Sequence, residues 1–90
     1  MKTGAKLIKK ERKEQIEIHG FSIEQDQDYT KNELIKAALF AINPNQFEWP
    51  YDWDNEFRTS IMNKQLLDRL VVAGAFIAAE IDRMLNSDKV

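Results

Sequence analysis

The feature that most constrains this chain is its C-terminal third, which reads as one long apolar helix from about Asn63 to Asn86 with no proline in it. Leu66, Leu70, Ala73, Ile77 and Met84 share one face at helical spacing, and Leu67, Val71, Gly74, Ala78, Ile81 and Leu85 lie beside it. The resulting stripe is wider than a helix covering a single core needs, so it demands cover on more than one side. Gly74 in mid-helix costs about 1 kcal/mol relative to alanine. Its setting among Ala73, Ala75, Ala78 and Ala79 points to a close-packed neighbour, either the second helix or the same helix of another subunit. The longest nearly uncharged stretch, Leu70 to Ala79, is about half the length of a membrane span, so no membrane partner is expected.

The rest of the chain has little with which to provide that cover. Ninety residues make one domain, and a chain of this size buries only about 60–65% of the surface its unfolded form exposes. With no cysteine there is no disulfide to compensate. Homo-oligomerisation is the expected remedy. Residues 1–19 hold no uninterrupted apolar core of the kind a signal peptide needs, and a cytoplasmic location follows as the expectation. The whole chain, 1–90, reads as a single helical domain with fraying expected at 1–5 and 87–90.

Further signals divide the remainder. From Lys6 to His19 there is neither proline nor glycine, and Ile8, Glu11, Gln15 and Ile18 form one mixed face; Gly20 is placed to end that helix. Residues 21–30 are acidic and aperiodic and read as a loop pinned by Phe21 and Tyr29. Thr30-Lys31-Asn32-Glu33 matches a capping box, followed by a helix over 31–42 that is apolar nearly all round. Asn43-Pro44-Asn45 stops it. In residues 46–57, Phe47, Trp49, Tyr51, Trp53 and Phe57 alternate with acids or proline; Pro50 favours an extended loop over a strand. The predicted architecture is all-α: three main helices (6–19, 31–42 and 63–86) in a small bundle, an aromatic and acidic extended loop at 43–57, and an extra helical turn near Asn55 to Met62.

Charge and chemistry narrow the function classes. A formal charge of −2 hides a basic N-terminal end (Lys2, Lys6, Lys9, Lys10, Arg12 and Lys13 against Glu11) and an acidic middle (Glu24, Asp26, Asp28, Glu33, Glu48, Asp52, Asp54 and Glu56 against Lys31 and Lys36). The basic end is either a solvated face or a contact for nucleic acid, and without interleaved aromatics it is a weak nucleic-acid signal. One histidine, His19, and no cysteine leave no thiol catalysis and no histidine-rich metal site. Three isolated glycines make no phosphate loop. Neither Glu33 nor Glu80 has a carboxylate at i+3 or i+4, so no helical magnesium site is complete. Glu11, Gln15, Glu33 and Glu80 all lie on or beside apolar faces, where a carboxylate is costly unless paired. They form either a buried polar network with Arg12, Arg69 or Arg83, or a polar pocket on which Trp49, Tyr51 or Trp53 stacks a ligand ring.

One family pattern runs through these residues. Glu11-Arg12-Lys13-Glu14-Gln15-Ile16, Gly20-Phe21, Glu24-Gln25-Asp26, Glu33-Leu34 with Ala37-Ala38, Trp49-Pro50-Tyr51-Asp52 and Leu70 to Arg83 together resemble a family of small, mostly uncharacterised phage and prophage proteins. The same pattern occurs as the C-terminal module of ead-type lambdoid accessory proteins. The resemblance spans about residues 7–85 and implies a phage accessory role. More distantly, the Glu-Arg-x-x-Gln opening and the alanine-rich closing helix are similar to short MazG-like all-α nucleotide pyrophosphohydrolases, which implies Mg²⁺ and nucleotide hydrolysis. The MazG-like helix with glutamates at i, i+1 and i+4 is absent here, and its later Glu-x-x-Asp stands as Glu80-x-x-Arg83. The expectation is therefore a non-catalytic phage accessory protein without a cofactor that binds a small molecule, such as a nucleotide signal of host defence. Its expected ligand-binding residues are Glu11, Arg12, Gln15, Glu33, Trp49, Tyr51, Trp53, Glu80 and Arg83. The alternatives are a module for a host protein or DNA, and a divergent Mg²⁺-dependent pyrophosphohydrolase.

Overall fold

The computed structural model describes residues 2–19, 32–51 and 53–86. The expectations for Gly20, the loop 21–30, the cap at Thr30 and the end 87–90 lie outside them. Within the described residues the chain is all-helical, without strands: α1 (Gly4–His19), α2 (Glu33–Ile42), α3 (Asn55–Met62) and α4 (Leu66–Asn86). The all-α class stands, but four helices replace the three main ones.

Local chemistry explains each boundary. α1 begins two residues earlier than expected because Thr3 caps it, its Oγ1 accepting from the Lys6 N–H at 3.1 Å. α2 starts at Glu33 rather than Lys31. Asn32 sits in the left-handed region (φ 65°), which asparagine tolerates, and a residue so placed stands outside the helix. At the other end Asn43 organises the stop: its side-chain oxygen accepts from the Asn45 N–H, and its carbonyl accepts from Gln46 and Phe47. The predicted loop 43–57 is too long by three residues. Asp54 caps α3, with Oδ1 accepting from the Glu56 N–H at 2.9 Å, so Asn55, Glu56 and Phe57 are helical. The last helix starts at Leu66 rather than Asn63, since the Asn63 and Lys64 N–H groups are spent on Thr59 and Ile61 carbonyls closing α3.

α4 is the hub, and α1, α2 and α3 each pack against it. α2 has the most extensive interface, and its C-terminal end sits beside the first turns of α4, where Arg69 Nη1 donates to the Ile42 carbonyl at 3.2 Å. The core combines Leu34, Ala37, Phe40 and Ala41 of α2, Phe57 and Ile61 of α3, and Val72, Ala73, Phe76 and Ala79 of α4. Trp49 enters this core from the loop. Its ring lies 5.4 Å from Phe40, 5.4 Å from Trp53 and 5.7 Å from Phe57 between centroids, in the tilted and edge-on arrangements that aromatic quadrupoles favour. Phe76 supports the cluster from α4, 5.9 Å from both Trp53 and Phe57.

Two expected faces are corrected. On α4 the buried residues are Val72, Ala73, Ala75, Phe76, Ala79 and Glu80; of the row Leu66, Leu70, Ala73, Ile77 and Met84 read from helical spacing, only Ala73 is buried and the others are exposed. The aromatic cluster decides this, because it covers the Phe76 side of the helix. On α1 the buried residues are Arg12 and Gln15, whereas Ile18 is 71% exposed. Glu11 lies toward Lys64 and Asp68 at the start of α4, while the adjacent Arg12 reaches Asp82 near its end. α1 therefore lies across α4, and its last turn runs past the contact. The crossing point is Gly74, where an added Cβ would come 2.6 Å from Ile8 Cδ1. The close neighbour inferred at Gly74 is thus real, but it is α1 rather than α2 or another subunit.

Candidate functional site

All the predicted site residues except Glu33 fall into three separate places. The first is an ionic edge where α4 carries charge at its C-terminal half. Glu80 is buried and grips Arg83 with two bonds, Nε to Oε1 at 2.8 Å and Nη2 to Oε2 at 2.9 Å. This bidentate fork one turn apart is the strongest polar contact described. Asp82 projects to another side of the helix and meets Arg12 at 3.5 Å. The acid that a MazG-like reading would look to is thus held by an arginine of its own helix. Among the described residues no group of three acids or histidines is placed to hold a metal ion.

The second place is the buried side of α1. Gln15 is fully buried, yet neither its Nε2 nor its Oε1 makes a hydrogen bond. The amide lies beside Glu11, whose carboxyl is held above the usual carboxylate range. Burial is the main cause and the like charge of Glu14 comes second; Lys64 and the Gln15 amide, which faces the carboxylate at a range too long for a well-formed hydrogen bond, act in the opposite direction, and Asp68 adds to the rise. Glu33 belongs to neither place. It is half-buried in the first turn of α2, where its charge complements the helix dipole.

The third place is the loop after α2, and here the predicted aromatics divide. Trp49 and Trp53 belong to the packed cluster, so their faces are occupied by Phe40, Phe57 and Phe76. The Trp49 indole N–H is buried without an acceptor. Tyr51, by contrast, is 97% exposed. It borders a cleft of about 480 Å³ whose far wall is Lys36 and Leu39 of α2 and whose near wall is the run from Gln46 to Tyr51. A second depression, about 550 Å³, uses the same run with Phe40, Asn55 and Arg58 opposite; the Arg58 guanidinium stands 5.5 Å from the Phe40 ring centre.

Lys36 and Phe47 therefore join the candidate site, although neither was singled out from the sequence. Phe47 had a signal in the aromatic alternation. Lys36 had none beyond being the one basic residue in a largely apolar helix. A further groove of about 540 Å³ runs along α1, lined by Lys6, Lys9, Lys10, Arg12, Lys13 and Ile16. No protein-family model matches the chain, and no curated protein or solved structure is significantly similar to it.

Proposed function

We propose that this chain is a non-catalytic binding protein for a small, planar, anionic ligand of the nucleotide class, taken into the cleft between α2 and the Gln46–Tyr51 run. The observation that carries the reading is the cleft itself. Its volume of about 480 Å³ lies within the roughly 300–1,000 Å³ of small-molecule sites. It sets a fully exposed tyrosine ring beside a lysine, with Phe47 and the edge of Trp49 as apolar floor. A base stacks on Tyr51 and a phosphate pairs with Lys36 in this arrangement. The phage resemblance supplies the biological setting, sequestration of a signalling nucleotide in the cytoplasm. Glu80 and Arg83 then belong to the scaffold rather than to the ligand.

The test is a thermal-shift and calorimetry panel of linear and cyclic nucleotides. Binding should weaken at least tenfold, about 1.4 kcal/mol, in Tyr51→Ala and in Lys36→Met, with the free proteins unchanged in melting temperature. No response across the panel, or binding indifferent to both substitutions, overturns the reading. The basic groove of α1 favours a second reading, contact with nucleic acid. That mode requires binding that weakens steeply with salt and with neutralisation of Lys9, Lys10 and Lys13.

A further inference from the structure

Two hollows share the run from Gln46 to Tyr51. One is the ligand cleft, with Lys36 and Leu39 of α2 opposite the run. The other has Phe40, Asn55 and Arg58 opposite, and its volume of about 550 Å³ falls by itself within the roughly 300–1,000 Å³ of small-molecule sites. Each hollow has a single cation, Lys36 in the first and Arg58 in the second, and among the described residues neither is held in an ion pair. Lys36 stands one helical turn before Phe40, and the Arg58 guanidinium lies 5.5 Å from the Phe40 ring centre, so Arg58 is a turn further along α2 than Lys36. Tyr51 borders both hollows, and at 97% exposure its ring has both faces open. Glu48, exposed and also common to both, is the one acid among the described lining residues.

We propose that the ligand is a dinucleotide, with one nucleotide unit in each hollow. The inference rests on the reading of the first hollow as a nucleotide cleft, and it names which class of nucleotide fills it. A single nucleotide engages Lys36 and one face of Tyr51, and leaves Arg58, the second face and the second hollow in water. A dinucleotide uses all of them. Its two phosphates meet the two free cations, the planar guanidinium being suited to bidentate phosphate contact. Its two bases take the two faces of Tyr51, and such stacking accepts any base because every base has a π-face. Glu48, between the hollows, accepts hydrogen bonds from exocyclic amines, as carboxylates do from cytosine. Two successive residues of a longer single strand have the same chemistry, but a strand needs a basic track that continues. Here the residues on either side of Asn55 are the exposed acids Asp54 and Glu56, which repel a further phosphate.

Calorimetry with pApA, pGpG and pUpU beside AMP, GMP and UMP tests it. The best dinucleotide should bind about tenfold or more tighter than its own mononucleotide. Arg58→Met, which keeps an apolar side chain against Phe40, should erase that advantage, and Arg58→Lys should restore most of it. Circular dichroism and melting temperature check that both variants are folded. A single-stranded octa-adenylate should bind no tighter than the best dinucleotide. Mononucleotides that bind as tightly as dinucleotides, or a dinucleotide advantage that survives Arg58→Met, overturn the proposal and leave the cleft reading standing. An octa-adenylate that binds far more tightly makes the ligand a nucleic-acid strand and also overturns it. Silence from every probe removes the cleft reading and this proposal together.

Discussion

Substituting Gly74 isolates the contact that joins α1 to the rest of the molecule. In an exposed helix, glycine to alanine stabilises by about 1 kcal/mol. Here the new methyl would sit 2.6 Å from Ile8 Cδ1 and 2.9 Å from Ile8 Cγ1, both too close for carbon atoms. The tip of Ile8 is flexible, so the clash is relieved by shifting that side chain or lifting α1, at an overpacking cost of about 1–3 kcal/mol. The net expectation for Gly74→Ala is a loss of about 1 kcal/mol. Ile8→Ala empties the space, so adding Gly74→Ala on that background should recover the full helix gain of about 1 kcal/mol. The sign of the effect thus reverses between backgrounds, a coupling of about 2 kcal/mol in a double-mutant cycle. Urea unfolding of the four proteins, at one fixed protein concentration, measures it. If Gly74→Ala stabilises both backgrounds equally, α1 does not cross α4 at this point and the packing described here is wrong.

Three other outcomes follow from the buried polar groups. Replacing Gln15 by methionine removes a fully buried amide that makes no hydrogen bond, and should raise stability by about 1 kcal/mol; a comparable loss would mean that the amide has a partner. Glu80→Ala removes the carboxylate that grips Arg83 and should cost about 1–3 kcal/mol. The double replacement Glu80→Met with Arg83→Leu should be close to neutral, as exchanges of part-buried ion pairs for apolar residues often are. For Glu11, the folded chain binds the proton more tightly than the unfolded chain. Its contribution to stability therefore falls as pH rises from the usual carboxylate range through its raised value, and stays unfavourable above it. Glu11→Gln should stabilise by a few tenths of a kcal/mol at neutral pH, a size limited by partial solvent screening, and should flatten that stretch of the stability–pH curve. An unchanged curve would place Glu11 in ordinary solvent.

The helices themselves were largely readable in advance, because α1, α2 and α4 are long enough for periodicity and breakers to speak. α3 was reduced to a possible extra turn for a specific reason. The aromatic–acid alternation of the loop runs straight through its first residues, so Trp53-Asp54-Asn55-Glu56-Phe57 has the same pattern on both sides of the helix start. Faces were harder than elements. α4 is apolar nearly all round, so the rows of Leu66 and Leu70 and of Val72 and Phe76 satisfy helical spacing equally well. Only the aromatic cluster, assembled from three separate segments, selects between them. Trp49 and Tyr51 likewise look alike as sequence, two residues apart in one loop. One fills the core and the other stands in water, and that division depends on where Phe40 and Phe76 arrive.

The transverse placement of α1 has a dynamic corollary. α1 supplies no side chain to the hydrophobic core, and its buried residues are Arg12 and Gln15. Its extensive contact is with α4 alone. Detaching it would leave the aromatic cluster between α2, α3 and α4 whole. The amides of α1 should therefore exchange with solvent through a local opening of lower free energy than the unfolding that releases those of α2 and α4. Seen this way the molecule is a three-helix body with a cationic outrigger.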